Sequence, residues 1–151
     1  MIVEAAQASD RRDILAVTSR IDIFSGEEKG TVRELWDERE IGYEFFVARH
    51  DGEVVGYACF GERDLTKGGY DLYWIAVDPS ARRLGVGAAL MGRIDSEVRA
   101  RGGRLIVVET SGTEVYASTR LFYESVGYKK EAVIPDFYKE GDGLMIYVKR
   151  L

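Results

Sequence analysis

The sequence has few of the residues that build disulfides and metal centres. Its 151 residues include one cysteine, Cys59, and one histidine, His50. A lone cysteine excludes an internal disulfide and a cysteine-rich zinc site, and a single histidine makes histidine-based metal sites poor candidates. We therefore expect no metal. His50 is expected to face solvent and Cys59 to be a buried strand thiol, so neither should be essential.

Long apolar runs and an excess of basic residues are also missing. Without an apolar run or a signal-peptide start, we expect neither a membrane-spanning segment nor a membrane partner. Lys plus Arg number 21 against 26 Asp plus Glu, which gives a formal net charge of −5. This balance argues against nucleic acid as a partner, because phosphate binding needs Lys and Arg in excess on one face. It still allows a small anionic ligand at a local site. The composition predicts a soluble, cytoplasmic protein.

Proline is rare, and no repeat, linker or low-complexity tract interrupts the chain, whose only prolines are Pro79 and Pro135. A chain of this length buries roughly two thirds of its unfolded surface when it folds, which is enough for a substantial core. We therefore expect a single domain over residues 1–151.

Hydrophobic periodicity predicts a strand, two helices, three strands, a helix, a strand, a helix and two closing strands. Asp51-Gly52 between two β-rich runs predicts a hairpin, because this turn needs positive φ angles. The segment Val86–Val98 has an apolar residue at every fourth position, which is typical of one helix face. The order predicts an α/β fold with a mixed sheet, since it lacks the strict alternation of a Rossmann fold.

The segment Val77–Gly87, VDPSARRLGVG, opens that predicted helix. Gly85 and Gly87 let the backbone approach a ligand closely, and the first helical turn leaves about four N–H groups unpaired. Those donors suit a diphosphate. No Gly-Lys-Ser/Thr follows, so a P-loop is excluded, and residues 78–84 separate the strand from the glycines, which disfavours a dinucleotide fingerprint. A helix start with glycines for tight packing is the simpler alternative.

A second motif, LFYESVGY at Leu121–Tyr128, lies on the next predicted helix. A strand ending in IAV, then DP, then RRLGVG, with this second motif downstream, resembles the GNAT N-acetyltransferase superfamily, closest to members like the ribosomal-protein alanine N-acetyltransferases. The resemblance implies a mixed, mostly antiparallel sheet, splayed at its centre and flanked by about four helices. It also implies direct transfer of an acetyl group from acetyl-CoA to a primary amine. A homodimer is one option, since many members are dimers.

The resemblance implies which residues contact acetyl-CoA. A strand end would pair with the pantetheine arm, and the following loop would hold the diphosphate. The implied cofactor-binding residues are Ile75, Ala76, Val77, Arg82, Arg83, Leu84, Gly85, Val86, Gly87 and Ala88. Many members carry Asn seven residues before the tyrosine of the second motif, here Tyr123, and Ala four before it, where this chain has Tyr116 and Thr119. The Asn contact must be replaced by the Thr119 or Tyr116 hydroxyl, or be lost.

The implied catalytic residues are a tyrosine and a carboxylate. Tyr123 falls on the tyrosine that stabilises the departing CoA thiolate, although an aromatic in LFY also suits a core. Glu109 ends a strand where N-terminal acetyltransferases place a base, and Asp71 lies where the histone-acetylating branch places a glutamate. We favour Glu109, with a solvated or ion-paired role as the alternative for each carboxylate. Deprotonating a lysine near pH 7.5 costs about 4 kcal/mol, and an α-amine less than about 1 kcal/mol.

The acceptor side is less determined by the sequence. The acidic segment Ile134–Gly143 between the last two strands suits a cationic amine, or is an ordinary solvated hairpin. Phe24 falls where the family commonly builds one acceptor wall. A peptide or protein N-terminus, a lysine or a small-molecule amine all remain open, as do acyl groups longer than acetyl. The rival of another class is a non-catalytic, GNAT-like domain that senses CoA or a metabolite.

Overall fold

The computed structural model describes residues 1–151 and contains seven strands in one sheet and four α-helices. The strands are β1 (Ile2–Ala5), β2 (Glu44–His50), β3 (Glu53–Glu62), β4 (Gly69–Val77), β5 (Leu105–Ser111), β6 (Lys129–Lys139) and β7 (Asp142–Arg150). The helices are α1 (Arg11–Ser19), α2 (Gly26–Asp37), α3 (Val86–Ala100) and α4 (Ala117–Ser125). Short 3₁₀ turns lie at Ala8–Asp10, Arg39–Ile41, Pro79–Ala81 and Glu114–Tyr116.

The strand order is β1-β2-β3-β4-β5-β7-β6, and every neighbouring pair is antiparallel except β4 and β5. This arrangement confirms the predicted element order and the mostly antiparallel, mixed sheet. None of the helices is both long and apolar enough to cross a membrane.

The two central strands separate partway along their length. β4 and β5 pair from Gly69 opposite Leu105 to Leu72 opposite Val108, and no further. Beyond that point β4 stays paired only with β3, and β5 only with β7. A bulge at Tyr73, opposite the Cys59/Phe60 step of β3, bends β4 where the separation begins. The splay expected at the centre of the sheet is therefore confirmed.

The sheet is packed on both faces. On one face α3 and α4 cover a cluster that includes Phe60, Leu90 and Ile106, and on the other α1 and α2 cover a cluster that includes Trp36 and Tyr57. Burying each such side chain contributes roughly 1.5–3 kcal/mol. These layers fix the sheet rigidly on either side of the cleft between β4 and β5.

Local signals in the sequence have mixed outcomes. Asp51 and Gly52 have φ angles of 51° and 82°, which confirms the predicted hairpin turn. The charged segment Gly26–Ile41 has one apolar face, which predicts a single helix, but α2 ends at Asp37 and continues only as a 3₁₀ turn. The last two strands are joined by an exposed hairpin, which confirms one of the two interpretations of Ile134–Gly143, and β6 runs through this segment as far as Lys139. Residues 135–138 form a wide bulge in β6, since Ile134 pairs with Leu144 and Lys139 with Asp142.

Candidate active site

The start of α3 presents unpaired backbone donors to the surface. Gly85 is the N-cap with a φ of 73°, and no side chain caps the helix. The first helical hydrogen bond runs from the Ala89 N–H to the Gly85 carbonyl at 3.0 Å. The amides of the first turn, residues 86–88, therefore have no partner within the helix. A left-handed glycine before uncapped amides is a geometry that fits a diphosphate.

The charge around this loop also suits an anion. Arg82, Arg83 and Leu84 are exposed, and no carboxylate lies between Asp78 and Asp95 in the sequence. The side chain of Asp78 is committed elsewhere, because it forms an ion pair with Arg20 at 2.5 Å. Positive charge at the helix start therefore meets no free carboxylate from its own segment, which favours anionic ligands.

The two glycines of the loop have different structural roles. A Cβ atom at Gly85 would meet nothing within 4 Å, so the space beside it is open. A Cβ atom at Gly87 would lie 2.9 Å from Cζ of Phe122, in α4. Gly87 therefore allows α3 to pack closely on α4, which agrees with the alternative that the glycines serve tight packing. Gly85 instead leaves open space beside the amides.

The splayed end of β4 leaves backbone groups free along one edge. Ile75, Ala76 and Val77 pair with β3 through Ala58, Tyr57 and Gly56, and have no partner strand on the side of β5. Unpaired strand-edge N–H and C=O groups can bond an extended chain in the way another strand would. This edge leads from the bulge at Tyr73 towards the loop before α3.

Tyr123 is buried at the root of the splay. It is 5% exposed, and its ring lies 6.2 Å from that of Tyr147, which pairs with Val108, the last residue of β5 that pairs with β4. Burial, and to a lesser extent Tyr116, raises the pKa of its phenol, and its hydroxyl forms no hydrogen bond to another residue. The phenol therefore stays protonated and available as a donor.

Tyr116 and Thr119 differ in what they can offer a ligand. The Tyr116 hydroxyl donates to Oε2 of Glu28, in the first turn of α2, at 2.9 Å. That proton is thus engaged on the side of α1 and α2. Thr119 is half-buried in the first turn of α4. Either hydroxyl could replace the asparagine contact, but only that of Thr119 forms no hydrogen bond within the protein.

Both candidate bases line one cavity at the splay. A cavity of about 520 Å³ has Asp71, Tyr73 and Trp74 from β4 on one side and Glu109 from β5 on the other. Tyr138, from the bulge of β6, also lines this cavity. The alternation of the strands directs Asp71 and Glu109 away from Tyr123, to the opposite face of the sheet.

The two carboxylates have different surroundings. Asp71 accepts a hydrogen bond from Nη1 of Arg63 at 2.7 Å, and its side chain is 14% exposed. Burial raises the pKa of Asp71, while the charge of Arg63 opposes that rise. Glu109 is exposed to the cavity. Because Asp71 is already paired and Glu109 is open, the geometry favours Glu109 as the group that can accept a proton from a ligand.

Sequence reasoning missed part of the cavity. Arg63 and Asp64 follow directly after β3 and carried no pattern beyond turn-forming polarity, although a charged pair at a strand end is a weak signal of an edge site. The run Tyr73–Val77 is apolar without alternation, which predicts a strand buried on both faces, yet Tyr73 is 37% exposed at the bulge. Phe24, expected on an acceptor wall, packs edge-on against Trp74 at 5.1 Å.

The remaining candidate groups lie away from this site or do not cluster. Cys59 is fully buried in β3 and burial raises the pKa of its thiol, so the prediction of a buried strand thiol is confirmed. His50 is exposed, as predicted. No group of three or more His, Cys, Asp or Glu side chains is placed to hold a metal ion.

Comparison with known proteins agrees with this geometry. Residues 42–130 match the family model described as acetyltransferase (GNAT) domain. Because that match covers more than half of the chain, the protein belongs to the GNAT acetyltransferase family. An uncharacterised N-acetyltransferase of Methanocaldococcus jannaschii is 32% identical over 107 residues, which cover 70% of this chain and 65% of that relative. The matched region thus spans just under two thirds of that relative's length.

Solved structures share the fold along nearly the whole chain. A GNAT-family acetyltransferase of Desulfovibrio desulfuricans is 39% identical and has a TM-score of 0.94, over 99% of this chain and 98% of that one. The ribosomal-protein-S18-alanine N-acetyltransferase of Escherichia coli, at 21% identity, has a TM-score of 0.79 over 99% and 92%. An aminoglycoside 6'-N-acetyltransferase solved with coenzyme A, at 20% identity, has a TM-score of 0.77 over 99% and 97%. At these sequence identities, the last two comparisons show a shared fold and nothing more.

Proposed function

We propose that residues 1–151 form one domain that transfers an acetyl group from acetyl-CoA directly onto a primary amine. One observation carries the proposal: the splay between β4 and β5 has uncapped helix amides at its outer end, and a buried tyrosine and a carboxylate-lined cavity at its root. A thioester lying in that gap would have its sulfur towards the face of Tyr123 and its carbonyl towards the cavity. The structure solved with coenzyme A on the same fold supports the choice of carrier.

The chain would hold acetyl-CoA mainly through its backbone. The amides of residues 86–88, with Arg82 and Arg83 beside them, would bond the diphosphate. The free edge of β4 at Ile75–Val77 would pair with the amide groups of the pantetheine arm, as an added strand would. Thr119 would supply a free hydroxyl from the first turn of α4. These contacts use groups that have no other partner in the chain.

The acceptor amine would enter the cavity on the other side of the sheet. Asp64, Asp71 and Glu109 outnumber Arg63 among the charged residues there, which favours an ammonium group during encounter. Glu109 then accepts the proton that the amine must lose before it attacks the thioester carbonyl. An α-amine makes a small demand on this base, and a lysine a larger one, since its pKa is near 10.4.

Tyr123 would stabilise the departing sulfur. An ordinary phenol has a pKa near 10 and a thiol near 8.5, so full proton transfer to the thiolate is uphill by about 2 kcal/mol. Burial raises the pKa of Tyr123 and increases that difference. The phenol therefore acts as a hydrogen-bond donor to the sulfur, with complete proton transfer late in the reaction.

The decisive experiment is free-thiol release from acetyl-CoA with a panel of acceptors. The panel holds an alanyl peptide with a free α-amine, Nα-acetyl-lysine amide, a free amino acid, spermidine and an aminoglycoside. Turnover with at least one amine is expected. Retention of CoA with no turnover on any amine would contradict the proposal and favour the sensing domain.

Direct transfer has a separate test. Cys59 is the only thiol and is fully buried, so no acetylated cysteine should form. Cys59→Ala should keep wild-type turnover with the best acceptor of the panel. Loss of activity together with intact folding would instead support a covalent intermediate on that sulfur.

A further inference from the structure

A hydrogen bond joins two segments that flank the cleft and are 88 residues apart. Tyr116 ends the 3₁₀ turn before α4, and its hydroxyl donates to Oε2 of Glu28 at 2.9 Å. Glu28 lies in the first turn of α2. Both groups are partly buried, which makes a bond to a charged acceptor more valuable than at an open surface.

The same carboxylate also fixes the start of α2. Oε1 of Glu28 accepts the Ser25 N–H at 3.1 Å, and the Ser25 hydroxyl accepts the Glu28 N–H at 3.0 Å. These reciprocal bonds form a capping box, which defines where α2 begins. The Tyr116–Glu28 bond therefore ties the end of the α1–α2 connection, residues 20–25, to the segment that leads into α4.

That connection packs directly behind one lining residue of the acceptor cavity. Phe24 packs edge-on against Trp74 with ring centroids 5.1 Å apart, and Trp74 lines the cavity beside Tyr73. Burial, followed by the charges of nearby carboxylates that include Glu28, raises the pKa of Tyr138, which lines the same cavity. Glu28 and Phe24 thus each act on a residue of the cavity lining.

We infer that Tyr116 and Glu28 form a clamp that positions the α1–α2 connection, and with it Phe24, for acceptor binding. Tyr116 is a positioning residue in this account, because its hydroxyl acts through Glu28 and contacts neither acetyl group nor sulfur. The inference rests on the proposed function, since it concerns the acceptor of that reaction. It predicts that breaking the clamp weakens acceptor binding and spares CoA binding.

Tyr116→Phe removes the clamp with the loss of one oxygen atom. We expect the acceptor KM to rise about tenfold, with kcat changed less than about twofold and the Kd for CoA unchanged, because only a uniform binding contribution is lost. The acceptor is the best amine of the panel above. In the free protein, amide hydrogens of residues 21–28 should exchange faster.

Two further variants separate positioning from a general loss of stability. Glu28→Gln can still accept from Ser25 and donate to the Tyr116 oxygen, so it should keep a near wild-type KM. Glu28→Ala should raise the acceptor KM at least as much as Tyr116→Phe, because it removes the capping bond to Ser25 as well as the clamp. The double variant Tyr116→Phe/Glu28→Ala should be no worse than Glu28→Ala alone.

Tyr57→Phe is the matched control. The Tyr57 hydroxyl lies 2.7 Å from Oγ1 of Thr18 and also joins a helix to the rest of the fold, but it is buried under α1. This variant should lower Tm and leave the acceptor KM at the wild-type value.

The possible outcomes distinguish failure of the clamp inference from failure of the proposed function. An unchanged KM and unchanged exchange in Tyr116→Phe would overturn the inference, and so would an effect that falls on the Kd for CoA. If no amine in the panel releases thiol, the proposed function fails and the acceptor role fails with it. In that case exchange over residues 21–28 still shows whether the clamp exists.

Discussion

The two ends of the cleft between β4 and β5 present different chemical groups, backbone amides and carbonyls at one end and side chains at the other. The end at α3 uses backbone groups from one continuous stretch, residues 75–88, with no carboxylate after Asp78. The cavity end uses side chains from the turn after β3, from β4, from β5 and from the bulge of β6. A backbone site tolerates change in its side chains, and a side-chain site changes with each of them. The same fold can therefore keep one carrier while its acceptor varies.

The largest effect is expected on CoA affinity, from a negative charge at Gly85 beside the start of α3. Asp and Asn both tolerate its left-handed conformation, and a Cβ there meets no atom within 4 Å. Gly85→Asp places a carboxylate beside the helix amides, whereas Gly85→Asn has the same shape without the charge. Losing two amide bonds to a charged group, each worth about 2 kcal/mol, weakens binding on the order of 500-fold.

Calorimetry with CoA measures this difference. Gly85→Asp should bind CoA hundreds of times more weakly than Gly85→Asn, in line with those two lost bonds. Equal CoA affinities in the two variants would show that the diphosphate does not bind at this loop. Gly87 is a poorer position for the test, because a side chain there strikes Phe122 and disturbs the packing of α3 on α4.

The next effect concerns the root of the cleft, where both ends meet. Tyr123→Phe should lower kcat about 100-fold and leave the Kd for CoA nearly unchanged, because a donor to the leaving sulfur acts only as charge develops there. Tyr128→Phe is the control, since the Tyr128 hydroxyl is buried without a partner and its loss should leave turnover intact. Wild-type kcat in Tyr123→Phe would make Tyr123 a core residue only.

The two carboxylates of the cavity give a smaller contrast. Glu109→Gln should lower kcat/KM about 50-fold, less than a full general-base effect because Asp71 remains in the same cavity. Asp71→Asn should lower it less than about fivefold, since Asp71 is already paired with Arg63.

The pH dependence of kcat/KM distinguishes the two bases. If Asp71 were the base, activity would fall on acidification with a midpoint above that of an ordinary aspartate, because burial raises its pKa. Loss of activity only in Asp71→Asn, together with such a profile, would reverse the ranking of the two groups.

The smallest effect on CoA affinity is expected from the exposed arginine charge beside the start of α3. Arg82→Gln should weaken CoA binding about threefold at ~0.05 M salt and not at all at ~0.5 M, because exposed charges are screened. Arg82 is preferable to Arg83, whose left-handed φ of 76° means that a substitution there can change the backbone strain as well as the charge. An equal effect at both salt concentrations would indicate a buried contact instead.

The same contrast explains how much of the fold and site could be predicted from the sequence. The β4–α3 stretch is contiguous, so its motif is recognisable in the sequence alone, and the helical and strand periods predict the element order. The bulge at Tyr73 depends on how β3 pairs, and the cavity depends on segments as far apart as Arg63 and Tyr138. The bond between Tyr116 and Glu28 spans 88 residues and has no local signal. Such contacts arise only from tertiary packing.

Backbone amide NMR during a titration with CoA tests the central claim most directly. The account predicts that the largest chemical-shift changes occur in residues 82–88 and 75–77, with smaller ones along the cavity. Shifts concentrated elsewhere on the sheet, or no shifts at saturating CoA, would contradict a carrier held by the start of α3 and the open edge of β4.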